Sequence, residues 1–316
     1  MKSRSPLIDT VSDYLSRFEL VSKPIAVACS GGVDSFSLLD ILRQFVPSEN
    51  LACIHLNHGW LESAIQAQEL LKNYCQKNNL KFICKQFALG EMVASENTAR
   101  QARYDFFREA CSLENISDLF MGHNLNDQAE TVLFRLFRGT NTFGLSGILE
   151  QKQLSLSESH TLTLHRPFLG TARQEISSYA SENLNIFYED PSNEDTKYHR
   201  NLIRHNILPT ALNINPQAEK NIVKLSELIR EEQDYFTDQV SSALASLGDL
   251  PWSLEKFRLL PRTIKRKILE KTFCTQIKFT DEFLMAVDLG GFHRINFEKN
   301  KFFTIKQKQI HLEIKN

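Results

Sequence analysis

Short apolar runs alternate with longer segments of helical periodicity through the first 140 residues. The runs have the length of buried strands, at 24–29, 51–56, 81–87 and 118–122. Amphipathic patterns predict helices at 6–19, 36–46, 62–78, 97–112, 125–138 and 171–183. Because strands and helices alternate with short links, the pattern predicts an α/β fold with a doubly wound, mostly parallel sheet. Ligands bind such sheets at the carboxyl ends of their strands.

The remainder of the chain has a different pattern. Residues 139–161 are rich in Gly, Thr, Asn, Ser and Gln, which predicts a loop with at most a helical turn. Asn215-Pro216 predicts a helix start and a domain boundary, giving domains 1–215 and 216–316. The second domain is a smaller α+β unit, with helices predicted at 217–246 and 262–273 and strands at 293–297, 301–306 and 309–314.

Composition narrows the protein class. The chain has 316 residues and 42% hydrophobic content, enough for two cores. No run of about 18 apolar residues is present, and the N-terminus lacks a signal-peptide core, so no membrane association is expected. None of the six cysteines forms a CxxC pair. We therefore expect a reduced, cytoplasmic protein without a zinc or iron–sulfur site.

Charge is unevenly distributed between the two ends of the chain. Residues 1–250 carry a net charge of −8, whereas residues 251–316 carry +7. A basic segment favours a polyanionic partner such as nucleic acid, although a solvated basic surface is an equal alternative. Lys265, Arg266 and Lys267 are the candidate RNA contacts in this segment.

A glycine loop follows the first predicted strand, with Ser30, Gly31, Gly32, Val33, Asp34 and Ser35 in sequence. Two glycines permit a sharp turn, and the following helix adds free N–H groups, so the loop predicts a phosphate cradle. No Gly-Lys-Ser/Thr follows, which excludes the common lysine-bearing phosphate loop. Asp34 would repel phosphate unless a cation lay between them, which indicates Mg²⁺. The alternative is an ordinary serine–glycine helix cap.

Further polar residues follow other predicted strands. Asn57 and His58 close the second strand, although ordinary strand-end residues would look the same. After the fourth strand, His123 could read adenine or move a proton. Asp127 and Glu130 lie on one helix face and could hold a metal or an ammonium group. The alternative is that Asn126 caps the helix and the acids stabilise its positive end.

Several arginines have the spacing of phosphate ligands. Arg100 and Arg103 share one face of a helix, and Arg103 is the candidate for stabilising transition-state charge. Arg138 ends a helix before Gly139, and Arg200 and Arg204 share another helix face, so all three are candidate RNA contacts. The alternative for Arg100 is a surface ion pair with Glu96, and the alternative for Arg138 is a helix cap. For Arg200 and Arg204 it is a solvated helix face.

Taken together and in order, these motifs resemble the tRNA(Ile)-lysidine synthetase family of the PP-loop superfamily, the N-type ATP pyrophosphatases. The resemblance spans roughly residues 24–209 and includes Ser30–Ser35, Gly122-His123, Asp127–Thr131, Arg166-Pro167, Asp190–Asn193 and Arg200–Arg204. It implies an adenine nucleotide alpha hydrolase-like fold. It also implies ATP and Mg²⁺ as cofactors, with L-lysine and tRNA(Ile) bearing a CAU anticodon as partners.

The resemblance implies a two-step ligation. ATP adenylates the C2 oxygen of the wobble cytidine, and the ε-amine of lysine then displaces AMP to give lysidine. The glycine loop, Asn57, His58 and His123 would bind ATP, with Mg²⁺ on Asp34. Asp34, Arg103 and Asp127 would be catalytic, and Asp127 and Glu130 would bind lysine. The alternatives are a PP-loop tRNA thiolase, an enzyme of glutamine-dependent amidation and a non-catalytic tRNA-binding protein. The oligomeric state is open, and a homodimer is compatible with the sequence.

Overall fold

The computed structural model describes residues 5–57, 62–86, 96–156, 160–184, 199–273, 277–289, 293–298 and 301–314. It separates into two units. The first contains Met1–Gly139 and Ser146–Leu225, and the second contains Thr140–Leu145 and Ser226–Asn316. The division falls inside a long helix, Ala218–Leu247, rather than at the predicted boundary after residue 215.

Six strands of the first unit form one sheet, in the order β3-β2-β1-β4-β6-β5. Their bounds are β1 (Ile25–Ala28), β2 (Leu51–Asn57), β3 (Lys81–Gln86), β4 (Asp118–Met121), β5 (Gln151–Ser155) and β6 (Thr161–His165). All pairs are parallel except β5 with β6. The prediction of a mostly parallel sheet is confirmed.

Helices cover both faces of this sheet. In chain order they are α1 (Pro6–Arg17), α2 (Val33–Leu42), α3 (Glu62–Lys77), α4 (Glu96–Leu113), α5 (Leu125–Arg138) and α7 (Arg173–Asn183). The short helix α6 (Thr142–Leu145) belongs to the second unit. Side chains of β1 alternate between two cores. Ile25 and Val27 pack with α1, α2 and α7, whereas Ala26 packs with Phe106 and Phe107 of α4. This alternation confirms the doubly wound arrangement.

Two neighbouring strands of the sheet, β5 and β6, were not predicted. The segment 139–161 was expected to be a loop with at most a helical turn. The turn is present as α6, but the segment also contains the whole of β5. Strand β5 is the edge of the sheet and is half-exposed or exposed along its length, so its residues are mostly polar. An edge strand of this kind carries no continuous apolar run by which it could be recognised.

The chain after residue 199 supports α5. It continues as α8 (His199–Leu202), one turn of π-helix (Ile203–Ile207), α9 (Leu208–Ile214) and the start of α10 (Ala218–Leu247). Ile203 and Leu208 from these segments, and Val223 from α10, form an apolar cluster with Leu125 and Ala129 of α5. The N-terminal half of α5 is therefore fixed by packing as well as by its cap.

The second unit has its own core around an antiparallel sheet, in the order β7-β10-β9-β8. Its further elements are β7 (Trp252–Ser253), α11 (Leu254–Leu259), α12 (Arg262–Phe273), α13 (Ile277–Leu289), β8 (His293–Glu298), β9 (Lys301–Lys306) and β10 (Gln309–Ile314). Phe257, Phe283 and Phe303 are central to the core. The three predicted strands and the basic helix are confirmed, whereas α11 and α13 were not predicted. Among the described helices, none is both long and apolar enough to cross a membrane.

Candidate nucleotide site

The candidate site lies where the order of the sheet changes direction. From β1, the chain first adds β2 and β3 on one side and then places β4 and β6 on the other. The glycine loop (Ser30–Ser35) follows β1, and Gly122-His123-Asn124 follows β4. Because β1 and β4 are parallel neighbours, both segments emerge at the same edge of the sheet. This is the position at which doubly wound sheets bind ligands.

Internal hydrogen bonds hold the glycine loop in shape. Gly31 has a φ of 90°, which glycine adopts without strain, and Gly32 precedes the first turn of α2. The Ser30 amide donates to Ser35 Oγ (3.1 Å), and Ser35 Oγ donates to the Gly32 carbonyl (3.2 Å). The turn is thus organised without a ligand, at the N-terminus of a helix.

Residues near the end of β2 contact the chain directly before the glycine loop or lie close to it. His55 is buried, and its Nδ1 donates to the Cys29 carbonyl over 2.8 Å, directly before Ser30. Burial lowers the pKa of His55 below its ordinary value, although the bond to Cys29 opposes this. Asn57, predicted to contact ATP, is buried and donates to Gln68 of α3 (2.7 Å). The predicted contact His58 lies outside the described residues.

Gly122 allows the two loops to approach closely. A Cβ at this position would lie 2.8 Å from the Ser35 amide nitrogen and 2.9 Å from the Asp34 carbonyl carbon. Both are backbone atoms, so a side chain at residue 122 would displace the first turn of α2. Glycine is needed here for close contact between backbones, not for an unusual φ.

Asp34 has an environment suited to a cation. Its Oδ1 is buried and has no hydrogen-bond partner in the described part of the chain. Burial, followed by the charge of Asp127, raises the pKa of Asp34 to about 6, while Arg173, a hydrogen bond from Asn124, and Arg204 oppose the rise. A carboxylate oxygen without a partner, beside a phosphate-shaped loop, fits a hard divalent cation.

A capping box opens α5. Asn124 Oδ1 accepts from the Asp127 amide, and Asp127 Oδ2 accepts from the Asn124 amide, both over 3.0 Å. The cap is thus Asn124, not Asn126 as the sequence alternative had it. Asn126 instead donates to Glu219 and accepts from the Arg173 amide. Asp127 therefore has a structural role in addition to any contact with a ligand.

Asp127 and Glu130 share one arginine. Arg204 Nε donates to Glu130 Oε1 (2.6 Å), and its Nη2 lies 3.2 Å from both Glu130 Oε2 and Asp127 Oδ1. Burial raises the pKa of Glu130, and Arg204 acts in the opposite direction. Arg204 was predicted to contact tRNA, but it points inward to these acids. Arg204 lies in the π-turn, in which the Leu208 amide donates to the Ile203 carbonyl, five residues back.

His123 accepts a hydrogen bond from a buried arginine. Arg166, the residue after β6, donates from Nε to His123 Nδ1 over 3.3 Å. Burial lowers the pKa of His123 to about 4; Asp127 opposes this, and Arg166, Arg100 and Arg200 add to it. Sequence reasoning did not assign a site role to Arg166, because β6 was not predicted and the residue could not be placed at a strand end.

Two arginines predicted to bind RNA lie on the same aromatic ring. The guanidinium carbons of Arg138 and Arg200 are 5.3 and 5.7 Å from the ring centroid of Phe134. Both arginines are exposed. By contrast, Arg103 is half-buried on α4, and its predicted catalytic role stays a prediction; its neighbour Arg100 donates to Tyr104 Oη (3.2 Å).

The prediction that Lys265, Arg266 and Lys267 form an RNA-binding surface is wrong, because these side chains are buried or engaged within the second unit. Lys265 is only 8% exposed, so it is not available as a surface phosphate contact. Arg266 pairs with Asp281 (2.5 Å), and Lys267 donates to Gln233 (2.6 Å) and lies over Phe236. The net charge of the segment suggested a basic surface, but these residues pack against the remainder of their own unit.

The chain is similar in sequence to curated tRNA(Ile)-lysidine synthases from several bacteria. The chain is 33% identical over 245 residues to a tRNA(Ile)-lysidine synthase from Enterococcus faecalis, covering 76% of this chain and 52% of that protein. It is 39% identical over 201 residues to the tRNA(Ile)-lysidine synthase of Legionella pneumophila strain Paris, covering 63% and 45% respectively. The chain thus spans about half the length of these relatives.

A solved structure shares the fold. The U34-tRNA thiolase NcsA from Methanococcus maripaludis superimposes with a TM-score of 0.58 at 18% identity, covering 71% of this chain and 78% of that one. At this identity the likeness concerns the fold alone. The PP-loop domain family matches residues 8–211, which include the glycine loop, β4, α5 and Arg204. With the phosphate-shaped loop at the sheet's switch point and this match over most of the first unit, the chain belongs to the PP-loop domain family.

Proposed function

We propose that this protein ligates L-lysine to C2 of the wobble cytidine of tRNA(Ile) with a CAU anticodon, with conversion of ATP to AMP and pyrophosphate. One observation carries the proposal. An organised phosphate loop lies near an acidic pair, Asp127 and Glu130, because the charge of Asp127 acts on Asp34 of the loop. The curated relatives of the chain are named tRNA(Ile)-lysidine synthase. The site thus combines features for binding a triphosphate and a cationic amine.

The first step activates the base. The cytidine O2 forms a bond to the α-phosphorus of ATP, and the bond to the pyrophosphate leaving group breaks. Amides of the glycine loop and the N-terminus of α2 stabilise the phosphate charge. Asp34 would hold Mg²⁺, which neutralises phosphate charge when bound. Its partnerless Oδ1 supports this assignment.

The second step transfers lysine. The ε-amine attacks C2 and loses a proton, and the C2–O bond breaks so that AMP leaves with the oxygen. Asp127 is the more accessible of the two acids, with a side chain 25% exposed, whereas Glu130 is buried. Arg204 already engages both acids. We therefore propose that lysine's ammonium contacts Asp127 directly, and that Glu130 acts mainly by orienting Arg204.

The exposed arginines on Phe134 would contact the RNA. Arg138 and Arg200 are 62 residues apart in the sequence, but both guanidinium groups lie over the ring of Phe134. They therefore place two positive charges close together on the surface. A phosphate contact by arginine positions RNA without reading its sequence. The reaction would take place in the cytoplasm, where tRNA, ATP and free lysine meet.

The test is nucleoside mass analysis of a tRNA(Ile) transcript after incubation with the full chain, ATP, Mg²⁺ and isotope-labelled lysine. We expect the cytidine to gain the mass of one lysine less one water, with AMP and pyrophosphate released. A tRNA(Met) transcript with the same anticodon controls for specificity. Sulfur in the RNA without lysine, given a sulfur donor, would instead identify a thiolase. Tight tRNA binding without turnover of ATP would indicate a non-catalytic binding protein.

A further inference from the structure

Arg166 is a buried cation without an acidic partner in the described part of the chain. It is 3% exposed. Its Nη1 donates to the Leu149 carbonyl (2.6 Å), its Nη2 lies 4.0 Å from Met121 Sδ, and Tyr104 also bonds to it. Its remaining donor, Nε, points to His123 Nδ1. A buried guanidinium is costly, so its retention here calls for an explanation.

The direction of this hydrogen bond determines the state of the imidazole. An arginine Nε always carries a proton and can only donate, so His123 Nδ1 must accept with its lone pair. The single proton of the neutral ring then resides on Nε2. This is the reverse of the common arrangement in which Nδ1–H donates to a carbonyl or carboxylate and leaves Nε2 basic.

From this contact we infer that Arg166 is a positioning residue, which fixes His123 as a neutral hydrogen-bond donor through Nε2–H toward the bound nucleotide. His123 Nε2 has no hydrogen bond to another residue in the described part of the chain, and His123 is half-buried, directly after the β4 strand that neighbours β1. The group facing the ligand is therefore a donor, suited to an acceptor nitrogen or oxygen of a nucleotide.

The charged surroundings act in the same direction. Arg166 from the end of β6, Arg100 from α4 and Arg200 from α8 disfavour an imidazolium at residue 123, and only Asp127 from α5 favours one. Tyr104 links Arg100 with Arg166. Of the two roles that the sequence left open for His123, reading a base and moving a proton, this arrangement selects the first. The inference rests on the proposed function only for the ligand's identity.

The primary test is ¹⁵N NMR of histidine-labelled full-length protein, with the His123 signals identified by their loss in His123→Asn. We expect the Nε2–H tautomer from pH 8 to about pH 5, without protonation in that range. In Arg166→Met, we expect both tautomers and protonation at higher pH. Arg135→Met removes a neighbouring cation that donates to Gly147 instead, and should leave the tautomer unchanged.

Activity gives a second readout. In Arg166→Met, kcat/KM for ATP-dependent pyrophosphate release should fall about tenfold and gain a pH dependence near neutrality, with Arg166→Lys less affected. An Nδ1–H tautomer in the wild-type protein would overturn the inference, even if no Arg166 variant folds. So would an unchanged tautomer and titration in folded Arg166→Met. Because the NMR readout needs no RNA, failure of lysine transfer would leave it interpretable.

Discussion

Replacement of Gly122 by alanine would perturb the site without removing any functional group. The added methyl would lie 2.8 Å from the Ser35 nitrogen, 2.9 Å from the Asp34 carbonyl carbon and 3.0 Å from the Ser35 Cα. Ordinary van der Waals contacts of a Cβ begin at 3.4 Å. The atoms that must yield are backbone atoms of the helix turn that carries Asp34, so rotation of a side chain cannot relieve the overlap.

The magnitude follows from these distances. To restore an ordinary contact distance of 3.4 Å, the first turn of α2 must move by about 0.6 Å. Shifts of this kind in a packed interior cost about 1–3 kcal/mol of folding stability. We therefore expect a thermal midpoint several degrees lower, with the fold retained. A displacement of about 1 Å at a reacting group costs about a hundredfold in rate, so pyrophosphate release should fall by about ten- to a hundredfold.

The assay compares ATP binding by calorimetry, pyrophosphate release with cognate tRNA, and thermal unfolding. Gly170→Ala is the matched control, because a Cβ at residue 170 meets nothing within 4 Å and its φ is not positive. It should leave all three measurements near wild type. A folded Gly122→Ala protein with ATP affinity and pyrophosphate release within twofold of wild type would refute the close-approach argument.

Three further predictions concern the charges around the site. Arg204→Met leaves the carboxylates of Asp127 and Glu130 without their cation, so urea unfolding at pH 7 should show a loss of about 2–4 kcal/mol in stability. The loss should be smaller at low pH, where the buried acid is neutral. An unchanged unfolding midpoint would contradict the pairing. Arg138→Ala and Arg200→Ala should each weaken tRNA binding and reduce the salt slope by about 1, unlike Arg108→Ala, whose arginine pairs with a neighbouring aspartate. Because the pKa of His123 is lowered to about 4, the unfolded chain binds this proton at a higher pH than the folded chain does. Up to about 3 kcal/mol of folding stability should therefore be lost between about pH 6.5 and pH 4. His123→Asn should make the stability depend less on pH over this range.

The three central strands β1, β2 and β4 could be predicted because almost all of their residues are buried. β1 and β2 are nearly continuous apolar runs, and the helices between them have clear periodicity. β5 could not be predicted, since an edge strand with exposed glutamine and lysine side chains has the composition of a loop. The boundary of the units was equally hidden, because helix α10 continues through it without a break.

The site was predictable where function depends on the local backbone, and less so where it depends on distant contacts. The glycine loop is a local motif, and its shape follows from Gly31 and two serine hydroxyls. Arg204 was assigned to RNA because its pairing partners lie more than 70 residues away in the sequence. Lys265 looked like a surface cation because its burial depends on how its helix packs within the second unit. Spacing along one helix shows which side chains share a face, but not what that face meets.

The position of Val223 affects how the first unit could be studied alone. A fragment that ended at residue 215, where the sequence suggests a boundary, would remove this side chain from the apolar cluster beneath α5. It would also remove Glu219, which receives the hydrogen bonds of Asn126. The helix bearing Asp127 and Glu130 would then lose support on one flank. A minimal fragment that retains an ordered acidic pair must therefore extend to about Leu225.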